Sequence, residues 1–227
     1  MADLMNIAVS SLVSQKTALG TVGHNIANVN TAGYSRQDVQ FGTNQADMFG
    51  GQFFGTGMSV SGIRRISNDF ITEQMRRDTQ NNSSFSAYYE YAVRVDTLLG
   101  DDATAITPTL LNFFDAVSDV SNDPASVPAR QVLISEGEAL ANRFNSVYSQ
   151  VALQNDTLNA DLESTTAQIT AIATQIADLN NAVQTSGSTG GVGGSPNDLL
   201  DAREEKLREL SELVGISTIS NTDGTVS

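Results

Sequence analysis

The stretch LANRFNSVYSQVALQNDTLNADLESTTAQITAIATQIADLNNAV, residues 140–183, decides the fold. One line runs through Leu140, Phe144, Val147, Val151, Gln154, Leu158, Leu162, Thr165, Ile169, Ile172, Ile176, Leu179 and Val183. Its steps alternate four and three, the signature of a helical seam that faces a partner helix. A single 4-4 step at Gln154-Leu158-Leu162 is a stutter that locally relaxes a supercoil. Pro128 suits a first helical turn, and nothing before Val183 demands a stop. The spacing therefore predicts one helix over 128–183, roughly 84 Å long at ~1.5 Å per residue. That is longer than a compact domain is wide. The fold expected is mainly α, an elongated antiparallel helical bundle or coiled coil.

Downstream, Ser186 to Pro196 holds five glycines and reads as a flexible connector. Asn197 to Val214 reads as a last helix with Leu200, Arg203, Leu207, Leu210 and Val214 on one face, closed by Gly215. A connector between two such helices predicts an antiparallel pair with Ile169, Ile172, Ile176, Leu200, Leu207 and Leu210 in its core. Ile216 to Ser220 then alternates apolar and polar residues. Asn221-Thr-Asp-Gly224 is a turn signal, and Thr225 starts a return strand. The expectation is the start of a further β domain (216–227), cut short in a fragment of a longer protein.

Upstream, Thr107 to Val120 forms a short helix with Leu110, Leu111, Phe113, Phe114 and Val117, followed by the loop Ser121-Asn-Asp-Pro124. Residues 68–99 place Ile71, Met75, Phe85, Tyr88, Ala92, Val95 and Leu99 on one helical face, interrupted near Asn81-Asn82 and ended by Gly100-Asp101-Asp102. Residues 68–215 are expected to make one bundle domain, with the connector at 186–196. Before it, 38–67 is a glycine-punctuated segment in which Val39 and Phe41 alternate around Gln40, expected to be a small β-hairpin. Residues 3–27 form the first helix, with a seam at Leu4, Ala8, Leu12, Gln15, Leu19, Val22 and Ile26. Ile7, Ser11, Ser14 and Ala18 make a small flank beside it. So lean a helix is unstable alone, and its flank admits the close approach of a partner helix.

Composition narrows function. Twelve basic and 26 acidic residues leave a net charge of −14 and a pI near 4.2. Nucleic acid and anionic membrane surfaces are poor partners for such a chain. With no cysteine and one histidine, His24, disulfides, thiolate sites, cysteine nucleophiles and multi-histidine metal sites are excluded. His24 has no Gly-x-Ser-x-Gly elbow to serve. Gly190-Gly191-Val192-Gly193-Gly194 lacks the Gly-Lys-Ser/Thr of a phosphate loop. Asp101-Asp102 and Asp223 read as helix-end and turn residues rather than calcium ligands. The doublets Arg64-Arg65 and Arg76-Arg77 read as inter-element or intersubunit salt bridges. Asp201, Glu204, Glu205, Glu209 and Glu212 read as a solvated helix face. No catalytic residue, metal or cofactor is expected. Asp3 and the interrupting Asn6, Ser10, Ser11 and Ser14 rule out a cleaved secretory signal at the N-terminus.

One motif is specific: Gly23-His-Asn-Ile-Ala-Asn-Val-Asn-Thr-Ala-Gly-Tyr-Ser-Arg-Gln37. Physically it is a helix exit, with asparagines bonding freed backbone groups and Gly33 supplying backbone freedom. Tyr34 and Arg36 are expected to project beyond the turn as contact residues. The same residues closely resemble the N-terminal signature of the flagellar rod, hook and hook-associated axial proteins. There an Asn-apolar-Ala-Asn-x-x-Thr-x-Gly-Tyr stretch follows an amphipathic helix, as Asn25, Ile26, Ala27, Asn28, Thr31, Gly33 and Tyr34 do here; where the family often has Pro, this chain has Ala32. Tyr34-Ser35-Arg36-Gln37, Gly55-Thr-Gly-Met-Ser-Val-Ser-Gly-Ile-Arg-Arg65 and Asn197-Asp-Leu-Leu-Asp-Ala-Arg203 running to Leu213-Val-Gly215 narrow the resemblance to the hook-associated members.

The resemblance implies a structural adaptor of the bacterial flagellum, joining hook to filament and needed for motility. It implies type III export without a cleaved signal, through the flagellar export apparatus with an export chaperone, and an extracellular place at the hook–filament junction. It implies as partners the hook protein, a second hook-associated junction protein and further copies of the chain in a ring, with no nucleic acid and no membrane. Residues 1–37 would be the axial assembly segment, its helix pairing with a C-terminal helix absent here. Asn25 to Asn28, Thr31, Gly33, Tyr34, Ser35 and Arg36 would be the assembly signature. The alternatives are a hook or distal rod subunit, for which mostly β structure is expected after residue 70, and a secreted coiled-coil effector or adhesin.

Overall fold

Helix α1 (Leu4–Ala27) has two faces that differ in residue size. The computed structural model describes residues 4–100, 105–188 and 195–227. On one side Ile7, Ser11, Ser14, Ala18 and Thr21 recur every three or four residues and are half-buried or buried. Ser14 is 2% exposed, and its hydroxyl donates to the Met58 carbonyl oxygen at 3.4 Å. On the other side Leu4, Ala8, Leu12, Gln15, Leu19, Val22 and Ile26 all stand open to solvent, Leu12 at 70%. The small flank is therefore covered by a hairpin, where the sequence reading placed a partner helix. Side chains that short let a strand backbone lie directly on the helix.

That hairpin pairs β1 (Gln37–Thr43) antiparallel with a strand at Met58–Arg65, from Gln37↔Arg65 to Thr43↔Met58. Between them β2 (Asp47–Phe49) and β3 (Gln52–Phe54) form a second, smaller hairpin at the far end, so Met58–Arg65 is β4. The β1–β4 register slips by one residue between Gln40 and Phe41, leaving Ser61 as the extra residue, whose hydroxyl donates to the Gln40 carbonyl oxygen. Past this bulge Phe41 is exposed, where plain alternation sets it beside Val39. Gly57, at φ +105°, lies against Ile7 and Ser10 of α1, and a side chain there would run into the Ser10 hydroxyl.

Helix α2 (Asp69–Gly100) starts at Asn68, whose Oδ1 accepts from the N–H groups of Phe70 and Ile71 at 3.1 and 3.4 Å. It runs unbroken through Asn81-Asn82. The apolar face expected for it is uncovered: Ile71, Met75, Phe85, Tyr88 and Val95 are exposed. Ala92 is half-buried, and the Leu99 side chain lies outside the description, as do residues 101–104. Thr72, Arg76, Thr79 and Gln80 are the half-buried residues of its first turns instead. Arg76 holds that side inward because its guanidinium finds Glu204 and Thr218.

Helix α3 (Ile106–Asn122) is followed by a turn and α4 (Val127–Ser188). Ser126 caps α4, its Oγ accepting the Ala129 N–H at 3.3 Å. The helix continues past Val183, so Ser186 to Ser188 of the expected connector are helical; residues 189–194 lie outside the described residues. Helix α5 spans Asn197–Leu213. The described chain is thus mainly α, with five helices and a small antiparallel hairpin.

Two compact units result, Met1–Asn81 with Gln168–Ser227, and Asn82–Ala167, α2 and α4 contributing to both. In the first, Ile176, Val183 and Leu207 are buried, with Ile169, Ile172, Leu200 and Leu210 half-buried. The C-terminal turn is closed on itself by a single Ser220–Val226 bridge in place of the two strands expected. Asn180 of α4 serves as a strand edge for that turn, donating to the Val226 carbonyl at 2.8 Å and accepting its N–H at 3.1 Å. In the second unit Ala116 and Val147 are buried, Leu140 is half-buried, and Phe144, Val151 and Leu162 are exposed. There the Tyr91 hydroxyl donates to Asp161 at 3.0 Å, and Arg94 lies over the Tyr91 ring.

Candidate functional site

The asparagine-rich exit of α1 is held by its own side chains. Asn28 donates both its backbone N–H and its Nδ2 to the His24 carbonyl oxygen, each at 3.1 Å. Thr31 donates its N–H to the Asn28 carbonyl at 2.9 Å and its hydroxyl to Asn28 Oδ1 at 3.2 Å. Tyr34 N–H then donates to the Thr31 carbonyl at 3.2 Å, which winds the loop back toward the helix.

Asn25 is the hub. Its Oδ1 accepts the Tyr34 hydroxyl at 2.7 Å and the Gln37 N–H at 2.8 Å, while its Nδ2 donates to the Gln37 carbonyl at 2.9 Å. One side-chain amide thus pairs with both backbone groups of the first residue of β1, as a neighbouring strand would. Tyr34 does not project, contrary to the sequence expectation. Its ring packs edge-on to His24 with centroids 5.5 Å apart, and burial followed by the charges of Asp198 and Asp201 pushes its phenol above the ordinary value. Arg36 and Ile26 are exposed, as are Ala27 and Thr31; Ser35 is half-buried.

Helix α5 closes the other side. Asp201, 5% exposed, accepts the Ser35 N–H at 2.8 Å through Oδ2 and Arg65 Nη1 at 3.0 Å through Oδ1. Asp198 accepts Gln37 Nε2 at 2.7 Å, with His24 Nε2 at 3.5 Å. Asn197 Nδ2 donates to the Ile63 carbonyl at 2.9 Å. Gly33 is required twice, by its φ of +74° and because a Cβ there would sit 3.0 Å from Glu205 Cβ. Glu205 is in turn held by Arg208, whose hydrogen bond draws its carboxyl below the ordinary carboxylate range.

Three of the five acidic residues expected on a solvated face of α5 are therefore inter-element contacts, while Glu209 and Glu212 pair only along the helix, with Lys206 and Arg208. Asp201 and Glu205 face the signature loop, while Glu204 pairs with Arg76 of α2 at 2.7 Å. Between them Arg203 donates to Asn180 of α4 at 3.0 Å and to the Gly224 carbonyl at 2.6 Å. Burial, then the charge of Arg65, lowers its guanidinium below the usual value. Each basic doublet supplies one inter-element pair, Arg65–Asp201 and Arg76–Glu204. The second member pairs locally, Arg64 with Asp38 across the hairpin and Arg77 with Glu73 along α2.

Two depressions flank Tyr34. One, of about 410 Å³, lies between the loop and α5 and is lined by His24, Asn28, Gly33, Asp198 and Glu205. The other, of about 500 Å³, is lined by Val22, Asn25, Ile26, Val29, Tyr34 and Arg36, and is apolar. Among the described residues no group of three or more His, Cys, Asp or Glu is placed to hold a metal ion. No described helix is long and apolar enough to cross a membrane. The arrangement provides contact surface and fixed geometry.

Comparison with known proteins bears on the same segments. The family model "Flagellar hook-associated protein FlgK helical domain" matches residues 92–227, and "Flagella basal body rod protein" matches residues 5–34. The chain is 36% identical over 226 residues to flagellar hook-associated protein 1 of Salmonella typhimurium and 33% identical to that of Escherichia coli, covering 99% of this chain in both cases. The Bacillus subtilis protein of the same name is 29% identical over 233 residues. This chain spans about two fifths of the length of these relatives, 40% for the Salmonella protein. Among solved structures, the flagellar hook junction protein FlgK of Burkholderia pseudomallei aligns with a TM-score of 0.60 at 27% identity, covering 67% of this chain and 26% of that one.

Proposed function

The chain belongs to the family of flagellar hook-associated protein FlgK, and from that premise we propose that it is part of a structural adaptor between the flagellar hook and filament. The observation that carries this reading is the division of α1. One face is committed to the hairpin, while the other offers Leu4, Leu12, Leu19, Val22 and Ile26 to solvent. A helix that keeps its larger apolar side chains uncovered is built to be covered by something else. The same helix falls within the segment that matches the rod protein model.

In this reading the protein is not an enzyme. It lies outside the cell at the hook–filament junction, delivered by type III export without a cleaved signal. Its partners are the hook protein, a second hook-associated junction protein and further copies in a ring, with the export apparatus and a chaperone acting earlier. Asn25, Asn28, Thr31, Gly33 and Tyr34 serve this role by setting the angle between α1 and β1. Described residues after Asp69 are almost wholly helical, which disfavours the hook or distal rod alternative.

Deletion of the gene in its own bacterium tests the role. The expected result is cells with hooks but no filaments, non-motile, with filament protein in the medium. Normal swimming and attached filaments in the deletion strain would overturn the proposal.

A further inference from the structure

We propose that the hairpin at residues 219–227 is a strap that controls the grip of α5 on the signature loop, so that the assembly segment keeps its angle only while the strap is docked. The hairpin is small. Ile219 and Ser227 exchange both of their backbone hydrogen bonds, at 2.8 and 3.0 Å, and the Asn221 N–H donates to the Thr225 carbonyl oxygen at 2.9 Å. A two-stranded hairpin is marginal alone in water. Its place depends on what it is docked to.

The docking is polar. Val226 lies between those bonded pairs and turns its own N–H and carbonyl outward, where the Asn180 side chain of α4 takes both. Gln184, one turn further along α4, donates to Asp223 at 3.3 Å. Helix α5 supplies the rest. Its Arg203 donates to the Gly224 carbonyl oxygen at 2.6 Å and to Asn180 Oδ1 at 3.0 Å. Arg203 is 7% exposed, and among the described residues no carboxylate pairs with it. A shielded guanidinium is costly to leave without acceptors. Undocking the strap takes the Gly224 acceptor away and loosens the seat of α5.

The same stretch of α5 holds the loop. Asp201, two residues before Arg203, accepts the Ser35 N–H, and Glu205, two residues after it, lies against Gly33. Among the described residues no hydrogen bond joins strap and loop directly, so the link runs through this helix. One short piece of α5 cannot shift for the strap without shifting for the loop. Such a coupling is reciprocal. The inference rests on the reading of residues 1–37 as the assembly segment for its biological meaning, and deepens it by naming what keeps that segment in shape.

Val226→Pro removes the N–H that Asn180 accepts, leaves the hairpin's own ladder bonds in place and touches neither α5 nor the loop. Amide exchange of the purified chain, followed by NMR, is the measurement. Exchange at Asn221 and Ser227 should quicken about fivefold to tenfold, the contribution of one hydrogen bond, and exchange at Ser35 and Gln37 should quicken with it. The Ile176 amide inside α4 should keep its rate. In the reverse direction Gly33→Ala, which presses on Glu205, should quicken Asn221 and Ser227. Quickening confined to the substituted side in either variant overturns the proposal, because the two ends are then independent. An equal rise at Ile176 overturns it too, since the whole chain is then merely less stable. Unchanged rates throughout would mean that the strap holds nothing. These rates do not depend on any role in the flagellum, which the deletion strain tests, so device and role are judged separately.

Discussion

Arg65 donates to Asp201 at 3.0 Å across 136 positions of sequence, and both side chains are largely shielded from solvent. The other oxygen of Asp201 holds the Ser35 N–H, so one carboxylate joins the hairpin, the signature loop and α5. The small-residue flank of α1 gives this half of the molecule few large apolar contacts. Fixed polar bonds take their place in setting its geometry.

Asp201→Ala leaves Arg65 shielded and uncompensated and removes the acceptor of the Ser35 N–H. It should lower stability by about 3 kcal/mol, read from urea denaturation. Arg65→Ala should cost less, and the double variant less than the sum. Strict additivity would show that the pair does not act as a unit.

Gly33→Ala should be destabilising by at least about 1–2 kcal/mol from its left-handed backbone alone, with Glu205 adding crowding. Gly23→Ala, inside α1 with open space around it, should instead stabilise by about 0.5–1 kcal/mol. Thermal melts of the two variants must move in opposite directions.

Tyr34→Phe removes one hydroxyl donor and should cost about 1 kcal/mol, while Asn25→Ala loses three bonds and should cost about 2–3 kcal/mol. Amide exchange at Gln37 should quicken in Asn25→Ala and stay nearly unchanged in Tyr34→Phe. In the parent gene, Tyr34→Ala is expected to leave export intact but shed filament subunits into the medium. Wild-type swimming by that strain would reduce the tyrosine to a local staple.

The Glu205 carboxyl is drawn below its ordinary value by the hydrogen bond from Arg208. A folded-state value below the unfolded one contributes stability above the unfolded value of about 4.5, lost as pH falls through the folded one. The advantage of the native chain over Glu205→Gln should therefore be complete at neutral pH and shrink below about pH 4. Urea midpoints for both chains across that range check it; an advantage that grows in acid would reverse the assignment.

Leu207, 4% exposed, should cost about 2–4 kcal/mol when changed to Ala. Leu12→Ala, on the open face of α1, should change the stability of this chain by less than about 0.5 kcal/mol. If α1 serves assembly as proposed, Leu12→Ala in the parent gene should instead reduce filament attachment, counted by electron microscopy.

The helices and turns were legible because their causes are local. The four-three spacing from Leu140 to Val183, Pro128 near the start of α4, and Asp223-Gly224 in the last turn each act within a few residues. The signature at Asn25 to Tyr34 was legible for its residue types at set spacing. Its bonding was less so, since Tyr34 was expected to point outward. An aromatic ring beside a loop has no preferred side until an acceptor such as Asn25 Oδ1 comes within reach.

What the sequence determined alone is which segments are helical and roughly where they begin and end, the last turn of α4 excepted, that a glycine-punctuated hairpin interrupts them, and to which family the pattern belongs. What only the tertiary structure decided is the partner of each face. Periodicity shows that a face exists, and it is the same whether water or protein opposes it. Asp201, Glu204 and Glu205 keep one helical spacing in either case, and only the arrival of Arg65, Arg76 and Gly33 from far away in sequence turns a soluble-looking helix into the clasp of the N-terminal segment. The two faces of α1 were both visible as patterns. The hairpin took the small one because only short side chains let a strand backbone come close, and that left the large one open.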